Sequence, residues 1–415
     1  MARSALRSLK LFVVLAALLG SASAGLFLTL FGGASNEKAP KLRTTESLES
    51  ERAAEQAGYE VTMSPMGTVR FARPPRRVVT QDANYNDMLV AAGVGERLIT
   101  TGYPNNFFEG FYAQIPGLAP GGGIDREQIS YLSGTPGMQF DKELLYRLKA
   151  DVHHIDPIQL AMRRGWSKAD IDEITRNVGP FFANRYSREN IYPGQEPYEF
   201  YSVWGLGEKV AEVYRRGDYV RRLHAIGDAL EARIRAKLPP LEERPRVGLI
   251  YYGRSRITPY SLGHGGFSQA HYVAVGARDA FEGHDLSTYG EGGGTGTALD
   301  LEGLLSIDPE VLIMPFAIYG APGSGKGARA GYEALLKLRD DPLGKRLKAI
   351  QRDQVYPGGT PLQGPLFYLF QVEMAAKQIY PHIFGRYRDD QAYPPAECLF
   401  EREAVAQILR EAHGR

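Results

Sequence analysis

The chain has a single cysteine, Cys398, in 415 residues. An internal disulfide and a cysteine-based metal cluster are therefore excluded. It also lacks a charge surplus: 49 basic residues face 48 acidic ones, so composition carries no nucleic-acid signal. Tryptophan is scarce, at 2 residues, whereas tyrosine is abundant, at 24. Phenols suit pocket walls, where an apolar body and a polar tip are both useful. At this length two ordinary domains fit, each large enough to bury a core.

The first 34 residues read as a targeting segment. Arg3, Arg7 and Lys10 precede an apolar run, Leu11 to Ala34, whose only polar members are Ser21, Ser23 and Thr29. Ser-Ala-Ser-Ala24 resembles a cleavage site, yet the apolar run continues past it for a length that suffices to span a bilayer. A cleaved signal and a retained membrane anchor are both open, and either exports the remainder. No cysteine follows the run, which excludes a lipoprotein anchor. Residues 35–57, rich in Ser, Glu and Lys, read as a flexible tether.

Beyond the tether, one stretch echoes another. Phe140-Asp-Lys-Glu-Leu-Leu-Tyr-Arg-Leu-Lys-Ala-Asp151-Val-His-His-Ile155 aligns without a gap on Leu299-Asp-Leu-Glu-Gly-Leu-Leu-Ser-Ile-Asp-Pro-Glu310-Val-Leu-Ile-Met314. Asp141 falls on Asp300, Glu143 on Glu302 and Val152 on Val311, a constant offset of 159 residues. Each copy reads as an acidic helix start, a short helix, a polar turn and a buried strand. That distance is too long for a solenoid and about right for one lobe of a two-lobed protein.

Strand and helix patterns alternate around both copies. Arg76–Thr80 and Arg97–Thr101 read as strands flanking a helix closed by Gly93, and Val178-Gly-Pro-Phe-Phe182 as a further strand. The second run restarts at Arg246-Val-Gly-Leu-Ile-Tyr-Tyr252 and closes at Gln354-Val-Tyr-Pro357. Such alternation predicts mostly parallel sheets with crossover helices. Between them, Glu208 to Leu238 reads as helix, with Val210, Val213, Tyr214, Val220, Leu223, Leu230 and Ile234 on one stripe. If unbroken it would extend about 46 Å, although Gly217 and Gly227 are places where it could divide. The expected organisation is an α/β lobe over 58–205, a linking helix over 206–240 and a second α/β lobe over 241–415, with a ligand cleft between the lobes.

Gly320-Ala-Pro-Gly-Ser-Gly-Lys326 imitates the phosphate loop G-x-x-x-x-G-K. Gly327 occupies the position of the hydroxyl that would reach Mg²⁺, and Pro322 removes a backbone N–H, so a surface insert is the better reading than a nucleotide-binding enzyme. His153, His154, His264, His271 and His284 raise a direct metal site, but no pair has the helical spacing of a metal motif. Packing explains His153, since it belongs to a strand. No cofactor, no bound metal and no nucleophile–base pair follow from the residues.

The combination resembles the periplasmic substrate-binding proteins of the iron-siderophore and vitamin B12 type. Arg77-Val-Val with Leu89-Val-Ala-Ala-Gly-Val-Gly-Glu-Arg-Leu-Ile99 is similar to that family's first strand, helix and second strand. Pro259-Tyr-Ser-Leu-Gly-His-Gly-Gly-Phe-Ser-Gln269 is similar to its second-lobe ligand loop, Leu347 to Tyr356 to its closing segment, and Ala375 to Phe384 to its terminal helix. The resemblance spans Val61 to Leu409 and departs in the absent lipid-anchor cysteine and in several long polar inserts, such as Tyr186–Tyr201 and Gly320–Arg329. It implies a non-enzymatic, monomeric component of an ABC importer that captures a ferric-siderophore-like chelate. Cobalamin, haem and a free metal ion are alternative ligands. The implied partners are the ABC permease dimer with its ATPase, and Glu143 and Glu302 are the implied permease-docking residues, one per lobe. Helix-end electrostatics would also account for both glutamates.

Ligand contacts are expected from loops at the carboxyl ends of the strands, the edge that faces the crevice of an open α/β sheet. In the first lobe these carry Asn84, Tyr85, Tyr103, Asn105, Phe107 and His154. In the second they carry Tyr252, Arg254, Arg256, Tyr260, His264 and Tyr319, with Gln363 in the closing loop. Arginine suits a carboxylate or a planar anion, and Tyr and Phe stack on flat chelates.

Overall fold

The computed structural model describes residues 58–414 apart from 134–141, 195–196, 254–255, 264, 285, 287–297, 319–325 and 390–391. The apolar N-terminal run and the tether lie outside the described residues. Among those described, no helix is long and apolar enough to cross a membrane. Strands, and helices of seven residues or more, are numbered below in chain order.

A hairpin of β1 (Tyr59–Met63) and β2 (Gly67–Phe71) leads into the first lobe. There β3 (Val78–Thr80), β4 (Leu98–Thr101), β5 (Ser130–Tyr131) and β6 (Val152–His154) form an all-parallel sheet in the order β5-β4-β3-β6. The crossovers include α1 (Ala83–Ala91), α2 (Lys142–Leu148) and α3 (Lys168–Asn177). Val178–Phe182 is not a full strand; it adds only a single parallel bridge, Phe181 to His153. Pro180 accounts for this, since it has no N–H to give a ladder.

Two helices follow, α4 (Val203–Glu212) and α5 (Gly217–Arg235). In the second lobe β7 (Arg246–Gly253), β8 (Arg256–Tyr260), β9 (Arg278–Asp279), β10 (Val311–Met314) and β11 (Val355–Pro357) make a sheet ordered β11-β10-β7-β8. β9 pairs in parallel with the start of β7, and β8 runs antiparallel to its remainder. Its helices include α6 (Leu301–Ile307), α7 (Lys326–Leu336) and α8 (Pro365–Ile379), and α9 (Arg402–His413) ends the described chain. Every residue of β3, β6 and β10 is buried, as expected of parallel strands covered on both faces.

The sequence echo is a repeated piece of structure. α2 and α6 occupy positions 159 residues apart at both ends, and β6 and β10 start in the same register, Val152 and Val311. Each helix is followed by a non-glycine residue in the left-handed region, Lys149 (φ 47°) and Asp308 (φ 49°). The acid that opens each strand then grips the first strand of its lobe. Asp151 Oδ2 accepts from the backbone N–H of Arg76 and Arg77 at 2.7 and 2.9 Å, and Glu310 Oε2 accepts from that of Arg246 at 3.0 Å. In return, Arg77 and Arg246 donate to the helix-end carbonyls of Leu148 (2.7 Å) and Ile307 (3.0 Å). Each arginine thereby satisfies an orphan carbonyl and places a cation at a helix C-terminus.

The linking segment is not one helix. α4 ends at Glu212 and α5 begins at Gly217, with Arg215 (φ 56°) in the left-handed region between them. The 19 residues of α5 extend about 28 Å. α4 packs back along α5, and the expected stripe from Val210 to Ile234 is buried throughout. Gly227 does not break α5. It makes room for Trp204, because a Cβ there would lie 2.3 Å from the indole Cζ2.

Two satellite clusters fill the outer sides of the sheets, one around Leu145, Ile155 and Ile174, the other around Ile250, Leu304 and Leu335. A third cluster is continuous from Met63 through the spine to Leu409 and includes residues of both lobes. At its centre lies α8, whose 15 residues are all buried. It packs on α1 of the first lobe, on α4 and α5, and on the short helix Ala270–Ala274 of the second lobe. Its N-terminus is held by the buried Asp87 of α1: Oδ2 accepts from the N–H of Leu366 (2.9 Å) and Phe367 (3.2 Å), and Oδ1 from Tyr112 Oη (2.6 Å). Burial lifts the Asp87 carboxyl to about 6, and these three donors restrain the rise. Asp87→Ala should lower the unfolding free energy by roughly 2–3 kcal/mol, since buried donors lose their acceptor. Tyr112→Phe should cost about 1 kcal/mol. Chemical denaturation checks both, and equal midpoints for Asp87→Ala and wild type would contradict the assignment.

Candidate functional site

The carboxyl ends of the parallel strands carry the loops that face the crevice. Of the residues expected there, several lie at the edges. Tyr103 is half-buried and Asn105 exposed after β4. Phe107 is buried with the Arg126 guanidinium 4.6 Å from its ring centroid. Tyr252 is half-buried near the end of β7, and Arg256 is exposed where β8 begins. Arg254, His264 and Tyr319 lie outside the described residues.

Four expected contacts belong to the core instead. Asn84 and Tyr85 are buried in α1, because that helix starts at Ala83, immediately after the strand turn. Tyr85 Oη accepts from the Asn184 N–H at 2.8 Å, and its ring stacks on His154 at 5.6 Å. His154 pairs through Nδ1 with Phe182 O (2.6 Å) and through Nε2 with Tyr214 Oη (2.7 Å). Gln363 donates to Phe267 O at 2.5 Å and accepts from Gln371. Tyr85, His154 and Gln363 thus have polar atoms engaged inside the protein.

The structure brings together a set that the sequence reading passed over. Arg188, Glu189 and Asn190 of the first lobe meet the loop Gly265–Ser268 of the second. Asn190 Nδ2 donates to Gly265 O at 2.7 Å, and Ser268 Oγ lies 3.5 Å from Glu189 Oε1. Arg188 is buried, 3.6 Å from Asp82 at the end of β3. Gly266 is indispensable here, since a Cβ would fall 2.1 Å from Arg188 O. Beside this junction is a cavity of about 20 Å³, lined among others by Arg188, Glu189, Tyr260 and Ser268, with room for a water molecule. Tyr260 reaches it because β8 runs backwards, setting Tyr260 opposite Leu249, well away from the carboxyl end of β7.

The insert Tyr186–Tyr201 is polar in composition but aromatic in structure. Tyr192 stacks on Tyr198 at 4.5 Å, Tyr186 meets both edge-on, and Phe200 tilts onto Tyr198. Tyr198 Oη donates to Asp156 at 3.1 Å, and Asp156 also accepts from the N–H groups of Ile158, Gln159 and Arg185. The signal available in the sequence was the spacing of four aromatic rings around an Asn-Arg-Tyr-Ser-Arg-Glu run.

Among the described residues, no group of three His, Cys, Asp or Glu side chains is placed to hold a metal ion. His153 and His271 are buried and His284 is exposed. The phosphate-loop mimic at 320–325 lies outside the described residues, and α7 begins at Lys326. Glu143 and Glu302 are exposed in the first turns of α2 and α6, at equivalent positions of the repeated unit.

Neither a family model nor a curated protein matches the chain. Solved structures do. A periplasmic binding protein from Veillonella parvula aligns with a TM-score of 0.55 at 11% identity, covering 81% of this chain and 95% of its own. The fold is that of the two-lobed periplasmic binding proteins. PiuA of Streptococcus pneumoniae, an iron uptake ABC transporter substrate-binding protein, aligns with a TM-score of 0.51 at 12% identity over 77% of this chain and 97% of its own. Ceue of Helicobacter pylori, solved with Ni(II) bound, aligns at 0.51 and 14% identity over 79% and 90%.

Two outcomes follow from this geometry. Burial depresses His153 and His154 to about 4 and His271 to about 3. A base whose folded pKa is lowered contributes stability that is full above its unfolded value of 6.5 and is lost as pH falls toward 4. The raised Asp87 carboxyl acts oppositely below pH 6 and offsets part of the loss. The melting temperature should therefore fall on acidification through this window, and less steeply in His271→Leu; a flat profile would contradict the buried neutral state. Gly266→Ala should destabilise by about 1–3 kcal/mol through overpacking at the junction, read as a lower denaturation midpoint.

Proposed function

We propose that this chain is the extracytoplasmic solute-binding component of an ABC importer, and that it captures an iron-siderophore-like chelate in the crevice between its lobes. The observation that carries the reading is the pairing of two mostly parallel sheets through one buried helix, α8. This construction favours capture with little lobe movement over wide hinge closure. Support for the ligand class comes from PiuA, which shares the fold and is an iron uptake protein. The crevice loops add arginine and tyrosine, suited to anionic and flat chelates. Capture and hand-over require no catalysis. The N-terminal apolar run would keep the protein at the outer side of the cytoplasmic membrane, as a cleaved signal or a retained anchor.

In the same reading Glu143 and Glu302 dock on the permease dimer. Both are exposed, one on each lobe, and the repeated unit presents them equivalently. A partner with two-fold symmetry would meet such a pair with like surfaces.

A thermal-shift panel of ferric siderophores, cobalamin, haem, zinc and ATP–Mg²⁺ tests the ligand. At 100 times Kd a true ligand adds about 2.7 kcal/mol of stability. A shift with a ferric siderophore and none with ATP is the expected result; a shift with ATP–Mg²⁺ that disappears in Lys326→Ala would overturn the reading. Glu143→Ala with Glu302→Ala should abolish uptake while leaving chelate affinity unchanged. Normal uptake by the double variant would remove the docking role.

A further inference from the structure

Beside the spine a groove of about 420 Å³ is bounded by the end of the insert, the start of α4, one face of α5 and the loop Gly265–Ala270. This volume lies in the range of small-molecule sites. The groove shares Asn190 and Gly265–Phe267 with the lobe junction, but none of its lining residues sits at the carboxyl end of a sheet strand. Its wall combines two kinds of group. Phe200, Tyr201, Trp204 and Tyr368 supply rings, and Asp228 and Glu231, three residues apart on α5, supply carboxylates. Among the described residues that line it there is no lysine and no arginine.

The side-chain donors of the wall are largely engaged inside the protein. Tyr201 Oη donates to Glu199 at 2.6 Å, Tyr368 Oη to Glu231 at 2.8 Å, and Asn190 Nδ2 to Gly265 O at 2.7 Å. His224 lies between Glu208, 3.0 Å from Nδ1, and Asp228, 3.6 Å from Nε2. The Trp204 indole N–H is buried and takes no part. Acceptors, by contrast, are in surplus. The Asp228 side chain is 72% exposed, and its contact with His224 is longer than a hydrogen bond. Glu231 meets one cation, Arg235, at 3.3 Å, and that arginine reaches it from outside the lining. Phe200 is 40% exposed, an aromatic ring left open at the groove.

Rings, acceptors and few donors select an occupant by charge. An anion would meet two carboxylates. A neutral polyol would find acceptors for its hydroxyls but few donors for its oxygens, the Ser202 hydroxyl among them. A bare metal ion would need more ligands than are gathered here, since no group of three acidic, His or Cys side chains is placed to hold one among the described residues. An organic ammonium ion meets every demand: its charge faces the carboxylates, and its N–H or N–CH groups lie against aromatic rings. We propose that this groove binds an organic ammonium ion, with Asp228 and Glu231 supplying the counter-charge and Phe200 and Tyr201 the rings. The site does not depend on what the crevice holds.

Choline, a quaternary ammonium, and spermidine, a polyamine, are titrated by calorimetry into the native protein, with maltose as the neutral comparison. Saturable binding of at least one cation and none of maltose is the expected result. Asp228→Asn should weaken that binding about tenfold through loss of the counter-charge. Phe200→Leu keeps the apolar bulk and removes the ring, and should weaken it about two- to fivefold. Both positions are exposed, so melting temperatures should stay near wild type. Saturation-transfer NMR on the native protein gives a readout without any variant: irradiating aromatic protons should transfer to the protons of the bound cation. Absence of binding by both cations, binding of maltose in their place, affinity unchanged in both variants, or no transfer from aromatic protons would overturn the proposal.

Discussion

A buried carboxylate holds the two lobes in one piece. Asp87 belongs to the first crossover helix of the first lobe, yet its acceptor oxygen closes the N-terminus of α8, nearly three hundred residues further on. A helix N-terminus carries unsatisfied N–H groups and partial positive charge. Inside a core neither can be left to water, so the charge on Asp87 and the position of α8 require each other. Because α8 packs on α1, on both spine helices and on the second lobe, fixing its end fixes the relation between the lobes. The junction of Arg188 and Asn190 with Gly265 and Gly266 adds a second point of contact, set by backbone proximity.

The rest of each lobe hangs on a smaller device used twice. An arginine at the start of the lobe's first strand caps the end of α2 or α6, and the acid just before the strand paired with it accepts from that arginine's backbone N–H. The device ties the end of the helix to the start of the sheet's strands and leaves the opposite end of the helix, with Glu143 or Glu302, exposed. One repeated unit thus has a structural end and an accessible end. The proposed capture and docking roles divide along the same line.

How much of this could be read beforehand depended on whether the signal was local. The echo was legible because its helix, turn and strand are contiguous, and its register survives to the residue in α2 with α6 and β6 with β10. The stripe from Val210 to Ile234 was legible for the same reason. The break at Val213–Arg216 falls beside Gly217, one of the two places where a division was expected, but the left-handed conformation of Arg215 that makes it has no local signal. Tyr85 and His154 read as loop residues, since nothing local reveals that α1 starts so early or that their rings stack. The insert Tyr186–Tyr201 looked polar because composition counts hydroxyls, whereas packing counts rings. α8 is apolar on nearly every side, the mark of a helix buried all round, but its partnership with Asp87 is a contact between distant segments and has no local trace.

The central claim is that the lobes form one cooperative unit through α8, and native-state hydrogen exchange tests it most directly. Amides of β3, α8 and β10 should share a single opening free energy, equal to that of global unfolding, and all three should fall together in Asp87→Ala. Exchange of one lobe's strands through a separate, lower-energy opening, with α8 and the other lobe still protected, would contradict the account.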